Sequence, residues 1–250
     1  MKKILFSATL VAASMVSLTS CDKSESVLSG VETTATEQSE LSVTTRIGSM
    51  TRSVLGRPID AFTSGDEIGL FVSNGSVNTP YNGVDANKNV KSAFTTVWTQ
   101  TPKVYLSSAQ ATVYAYYPYS STVNDGTKVA IDHTSQTDYL YATPATGISN
   151  RRSTAALVMN HALSLVQFNL KTENYSGAGQ LTAIKIANKS GGKSLISQGT
   201  LNIQTGAIAK GTSTEAVTKA TNLPQTIGNW SENTYPKMLV LPTSATAGRR

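Results

Sequence analysis

The stretch "ATVYAYYPY", residues 111–119, decides the fold class. Val113, Ala115 and Tyr117 fall on one face of an extended chain, and Thr112, Tyr114 and Tyr116 on the other. A period of two in Val, Ala, Thr and Tyr is a strand signal. Pro118 has no N–H to give a ladder, so the strand ends before it. Tyr117 is expected in a core with Val113 and Ala115. Tyr114 and Tyr116 are expected on the opposite face, with wet hydroxyls. A rival use of that other face is stacking on a glycan. Tyr114, Tyr116, Trp98 and Trp230 are the candidate residues.

The same period recurs along the chain. "LSVTTRI" puts Leu41, Val43, Thr45 and Ile47 on one face. "EIGLFV" holds an unbroken apolar run from Ile68 to Val72, and "KVAID", "LVQFNLK", "LTAIKIA" and "KMLVLP" follow. Gly, Asn, Ser, Pro and Asp cluster between these runs and read as turns. No long run has apolar residues at helical spacing. The chain is therefore mainly β, and the strand spacing suggests sandwiches. The segment "TPATGISNRRST", residues 143–154, is polar and turn-rich and predicts a junction. That places an N-terminal domain at residues 41–150 and a C-terminal domain at 155–250. The C-terminal domain reads as incomplete, because the strong strand "KMLVLP" lies close to residue 250. Its partner is expected upstream, beyond the given sequence, or in another molecule.

The first 40 residues read as export and tether. Lys2 and Lys3 precede an apolar run from Ile4 to Leu18, then Thr19, Ser20 and Cys21. A charged start, a short apolar run and small residues describe a secretory signal over residues 1–20. The run is too short and polar for a convincing membrane span. Cys21 is the sole cysteine of 250 residues and stands where a bacterial lipobox places one. That resemblance implies diacylation of Cys21 and cleavage before it. Residues 21–40 are rich in Ser, Thr and Glu and read as a flexible tether.

Charge and composition exclude several functions. Removing Lys2 and Lys3 from 21 basic residues leaves 19 against 15 acids, a net charge of +4. The basic residues are scattered, whereas nucleic-acid proteins gather them in a patch. No nucleic-acid partner is expected. No cysteine is left for a disulfide or a thiol nucleophile. His133 and His161 are the only histidines, too few for a catalytic zinc centre of about three protein ligands. No metal or other cofactor is expected. "ANKSGGKS", residues 187–194, loosely matches a phosphate-binding loop, but a β pattern follows where the helix should stand. It reads as a hairpin turn. Asp60, Asp66 and Glu67 read as a turn into a strand. Nothing in these residues assembles an enzyme.

The order of the segments says more than any one of them. "FTSGDEIGLFV", "VYAYYPY", "QTDYLYA", "MNHALSLVQFNL", "GTLNIQTGAI" and "MLVLP" follow one another across nearly all of the mature chain. This series resembles the fimbrillin family of Bacteroidetes surface lipoproteins, the subunits of type V pili. The resemblance implies two transthyretin-like β-sandwich domains, a lipid-anchored precursor at the outer membrane, and a surface-exposed place in a fimbrium. It implies removal of an N-terminal strand by an Arg-specific protease, and its replacement by a strand from another pilin subunit. Arg52 follows the strand "LSVTTRI" and is the first candidate for processing. Arg46, inside the strand, is the next. Arg57 precedes Pro58, a poor bond for most proteases. A role in adhesion makes host proteins or glycans candidate partners. The alternative is a surface lipoprotein that holds glycans through the exposed aromatics named above. Family members usually run on past "MLVLP". The expectation is a shortened reading frame or a subunit that accepts a strand without donating one.

Overall fold

The computed structural model describes residues 37–48, 59–170, 173–174, 177, 180–226 and 236–243. The strands are β1 (Ser39–Glu40), β2 (Ser42–Ile47), β3 (Glu67–Ser73), β4 (Val90–Phe94), β5 (Trp98–Thr101) and β6 (Tyr105–Leu106). They continue as β7 (Ala111–Tyr117), β8 (Val129–Asp132), β9 (Leu140–Thr143), β10 (Ala145–Ile148), β11 (Thr154–His161) and β12 (Ser164–Gln167). The last five are β13 (Gln180–Ile186), β14 (Gln198–Leu201), β15 (Ile208–Lys210), β16 (Val217–Thr226) and β17 (Lys237–Val240). The protein is mainly β; helix is limited to short 3₁₀ turns among the described residues.

One eight-stranded sheet dominates, in the order β2-β11-β9-β7-β3-β4-β5, with β10 also on β7. It curls around a core that takes Ile68, Leu70 and Val72 from β3, and Val113 and Ala115 from β7. Leu41 and Val43 at one end of the sheet join the same core, as does Trp98 at the other. The alternation read from residues 41–47 holds here. Leu41 and Val43 are buried, while Ser42, Thr44 and Arg46 are exposed. The unbroken run in β3 has its reason too. β3 lies between β4 and β7 and is buried on both faces, so it has no solvent side to mark with polar residues.

The opposite face of β3 and β7 is covered by another layer. Phe71, Tyr114 and Tyr116 pack with Val129, Ile131, Leu201, Ile203, Leu239 and Leu241. Val129 and Ile131 come from β8 and Leu201 from β14, neighbours in a three-stranded sheet of order β15-β14-β8. A third, smaller cluster joins Val217, Met238 and Val240 with Val166, Phe168, Ile184 and Ile186. It lies between the pairs β12-β17 and β13-β16.

Residues 143–154 contain β10 and the start of β11, and both strands hydrogen-bond into the large sheet. That sheet runs to His161, past the segment expected as a junction. The polar residues there line turns such as the Ser149–Arg152 bridge. β17 has its partner in β12, the upstream alternative of those expected from the sequence.

Candidate functional site

β2 is the strand on which the processing expectation rests. It lies at one end of the large sheet and pairs with one strand, β11, from Ser42↔Thr154 to Ile47↔Met159. This is the one parallel pair among the described residues. The segment before it is pinned locally. Leu41 N–H donates to the Val104 carbonyl at 2.8 Å, and Ser39 Oγ to the Asn150 carbonyl at 2.9 Å. Asn150 Nδ2 returns a bond to the Glu37 carbonyl at 2.7 Å. Lys103 Nζ reaches Glu40 at 2.8 Å, an exposed pair worth little by itself.

The other side of β2 faces β5 without a strand ladder. One side-chain bond crosses, from Trp98 Nε1 to Thr45 Oγ1, at 2.9 Å. Beside it runs a cleft of about 580 Å³, lined by residues 42–47, Asp60, Ala61, Phe62, Phe94, Thr96, Val97 and Trp98. Phe62 meets Trp98 edge-on with ring centres 5.1 Å apart, and Phe94 lies 5.0 Å from Trp98. The seam is thus apolar, with polar backbone along the β2 edge. Strand addition needs both.

The structure places the sequence candidates as follows. Arg46 is exposed, yet its backbone is paired opposite Val158. Cys21, Arg52 and Trp230 lie outside the described residues. Tyr114, Tyr116 and Trp98 are 4%, 1% and 7% exposed. They offer no open ring face, so the glycan-stacking reading of these three is corrected. Their polar tips are occupied as well. Tyr114 Oη donates to the Gly75 carbonyl. Tyr116 Oη lies 2.7 Å from Asn89 Oδ1 and 3.0 Å from the Ser120 carbonyl, and accepts the Ser120 N–H at 3.1 Å. Burial pushes the Tyr116 phenol up to about 12, and raises that of Tyr114. Tyr117 also rises to about 12, through burial and then the adjacent Asp66 carboxylate. The expectation of wet hydroxyls fails because β8 and β14 cover that face.

The remaining polar candidates are structural partners. Asp66 accepts from Thr63 N–H at 2.6 Å and from Tyr117 Oη at 3.1 Å. Glu67 pairs with Lys91 at 2.9 Å. In residues 187–194, Gly192 N–H closes a turn on the Lys189 carbonyl, and Asn188 brackets Leu195 by two bonds. Among the described residues, no group of three or more His, Cys, Asp and Glu is placed to hold a metal.

The sequence reading missed the role of the turn at 133–136. Gln136 adopts a left-handed backbone, φ 55. Its side-chain amide pairs with both backbone groups of Leu239. Nε2 donates to the carbonyl at 2.8 Å, and Oε1 accepts the N–H at 2.9 Å. Next to it, Leu241 N–H donates to Nδ1 of His133 at 3.1 Å. These groups lie on the side of β17 away from β12, so the turn seals that edge. His133 is fully buried, and burial lowers its pKa; the Asp132 charge and the Glu215 carbonyl offset this in part. His161 closes β11 and pairs with Asp138. The local sequence carries no signal for either partner, since both contacts depend on the assembled sheets.

Comparisons with known proteins agree with this architecture. A family described as fimbrillin-like matches residues 51–249. A curated relative from Bacteroides uniformis, named as the fimbrium subunit Fim1C, is 29% identical over 200 residues. The match covers 74% of this chain and 60% of that protein, so the chain spans about 60% of its relative's length. A crystal structure of a cell adhesion protein from Bacteroides uniformis superposes with a TM-score of 0.59 at 24% identity, over 84% of this chain and 78% of the other. Another, from Bacteroides ovatus, gives 0.53 at 20% identity, over 82% and 79%. At these identities the two structures speak for the fold. The family match spans most of the sequence, and the chain belongs to the fimbrillin-like family.

Proposed function

We propose that the protein is a structural subunit of a cell-surface fimbria, with a role in adhesion. A lipid on Cys21 carries its precursor to the outer membrane. The subunit then polymerises with other pilin subunits by strand exchange, after cleavage at an arginine that follows β2. Family membership supports the fimbrial role. The placement of β2 carries the mechanism. It is an edge strand with one paired neighbour, yet it contributes Val43 to the main core, and Leu41 just before it does the same.

Its departure would bare the β11 edge from residue 154 to 159 and open two apolar pockets spaced two residues apart. An incoming strand with apolar residues at alternate positions satisfies both, because backbone pairing supplies affinity and alternate side chains supply fit. Cleavage after Arg52 frees the strand whole. Cleavage after Arg46 leaves Ile47 behind and requires a backbone already paired with β11 to open first. Arg52 is therefore the processing site of this proposal, with Arg46 next in order.

The test is intact mass and N-terminal sequencing of protein shaved from cells, with and without a trypsin-like protease. A new N-terminus at Ser53 or Ile47, with ladders that resist SDS, is the expected result. An acylated Cys21 terminus alone, on a monomer, would overturn strand exchange and leave an anchored surface lipoprotein.

A further inference from the structure

The chain holds two Asn-Gly steps, Asn74-Gly75 and Asn82-Gly83, and the fold brings them together in neighbouring loops. Such a step carries its own electrophile and nucleophile. The electrophile is the side-chain amide carbon of the asparagine. The nucleophile is the backbone nitrogen of the glycine, which has no side chain to shield it. We propose that Asn74 is a modification site, converted without an enzyme to aspartate and isoaspartate through a succinimide closed on Gly75, while Asn82 is spared.

The two steps differ in their hydrogen bonds. Gly75 N–H donates to no group among the described residues. Gly75 is exposed, and beyond its chain neighbours no atom lies within 4 Å of the place a Cβ would take. Asn74 is exposed as well, and its Oδ1 accepts the Asn82 N–H at 2.6 Å. A donor on that oxygen draws charge from Cγ and stands where the oxyanion of a tetrahedral intermediate would form. The frame around this step is fixed. Asn74 N–H donates to the Thr79 carbonyl at 3.0 Å, and Tyr114 Oη donates to the Gly75 carbonyl. At the other step the nucleophile is engaged, because Gly83 N–H donates to the Pro80 carbonyl at 3.0 Å. Asn82 Oδ1 accepts no hydrogen bond among the described residues, and Asn82 Nδ2 reaches Ser107 Oγ at 3.4 Å.

The reaction balances with hydroxide and water alone. Hydroxide takes the Gly75 amide proton. The nitrogen attacks Asn74 Cγ, a C–N bond forms, and the side-chain nitrogen leaves as ammonia. Water then opens the cyclic imide. Opening at Cγ restores the backbone and gives aspartate. Opening at the backbone carbonyl gives isoaspartate, with the chain running through the side-chain carboxyl. Nothing is oxidised or reduced, and either product adds one negative charge. Isoaspartate also inserts a methylene before Gly75 and draws its carbonyl away from Tyr114 Oη. Tyr114 is 4% exposed, so its hydroxyl is left unanswered in a buried place, which costs stability. This reading requires neither processing nor polymerisation, so it stands or falls apart from strand exchange.

The experiment holds the full folded chain at mildly alkaline pH, beside a sample unfolded in urea, and follows both asparagines by peptide mapping and mass spectrometry. In the folded chain Asn74 is expected to convert at least tenfold faster than Asn82, with isoaspartate at residue 74 labelled by an isoaspartate methyltransferase. In urea the two should convert at rates within a few-fold, because the bonds that distinguish them are gone. The melting temperature should fall as isoaspartate accumulates, whereas Asn74→Asp, with an ordinary backbone, should keep it. Asn82 converting as fast as Asn74 in the folded chain overturns the site, as does an intact folded Asn74 once the urea sample has converted. An unchanged melting temperature in fully converted protein overturns the link to Tyr114.

Discussion

The indole N–H of Trp98 donates to the hydroxyl of Thr45 across 2.9 Å, so one side-chain bond ties the two ends of the eight-stranded sheet together. Trp98 thereby reports on β2. In a Trp230→Phe background, release of β2 removes the partner of the indole and opens its pocket to water. Its emission is expected to shift to longer wavelength on processing. Thr45→Val keeps the shape and deletes the acceptor, at a cost of about 1 kcal/mol in urea unfolding. An unchanged emission after complete cleavage would mean that β2 stays in place.

Gly69 and Tyr116 form a cross-strand pair, with the Tyr116 ring lying over the glycine. A methyl at position 69 would overlap Cε1 of that ring. Gly69→Ala should therefore destabilise the protein by about 1–3 kcal/mol, the usual range for overpacking. Adding Tyr116→Leu should recover part of the Gly69→Ala loss, since the ring causes the clash. A denaturant double-mutant cycle measures this coupling.

His133 predicts a pH dependence. Its folded-state pKa lies below the ordinary 6.5, chiefly through burial. The unfolded chain then binds more protons over that interval, so the stability that His133 contributes is present above pH 6.5 and lost as pH falls through the folded value. Protonating Nδ1 would also turn the acceptor for Leu241 N–H into a donor. Melting temperature should fall between pH 7.5 and 5.5, and His133→Asn should flatten the fall. An equal slope in the variant would assign the effect elsewhere.

Tyr116 and Tyr117 titrate late. Both phenols are pushed up to about 12, so absorbance near 295 nm should show their ionisation extending well above pH 10. With folded values raised, their contribution is complete below pH 10 and declines as pH rises through 12. A titration complete near pH 10 in the folded protein would contradict the burial of Tyr116 and Tyr117.

Gln136→Asn tolerates the left-handed backbone but withdraws the amide from Leu239 by one methylene. Two backbone groups lose their partner, and about 1–3 kcal/mol of stability should go with them. Light scattering should also show oligomers that rise with concentration, because a bare strand edge invites pairing.

Several of these elements were legible from residue patterns. The alternation in residues 41–47 pointed to the buried Leu41 and Val43, and Pro118 marked the end of β7 at Tyr117. Residues 68–72 announced a central strand. The pattern failed where burial depends on distant segments. Tyr114 and Tyr116 resemble a wet face until residues 129–131 and 201–203 cover them. Residues 143–154 resemble a linker because β10 and the start of β11 alternate buried positions with polar ones, and their pairing partners lie in β7, β9 and β2. The His161–Asp138 pair joins residues whose neighbours carry no motif. No local period encodes such a meeting.

The sealed edge of β17 bears on the shape of what this subunit could build. A strand whose outward amide and carbonyl are both answered by Gln136 gives a passing chain nothing to read. Under the proposed exchange at β2, a subunit refused along β17 would grow in one direction, and its copies would form a line.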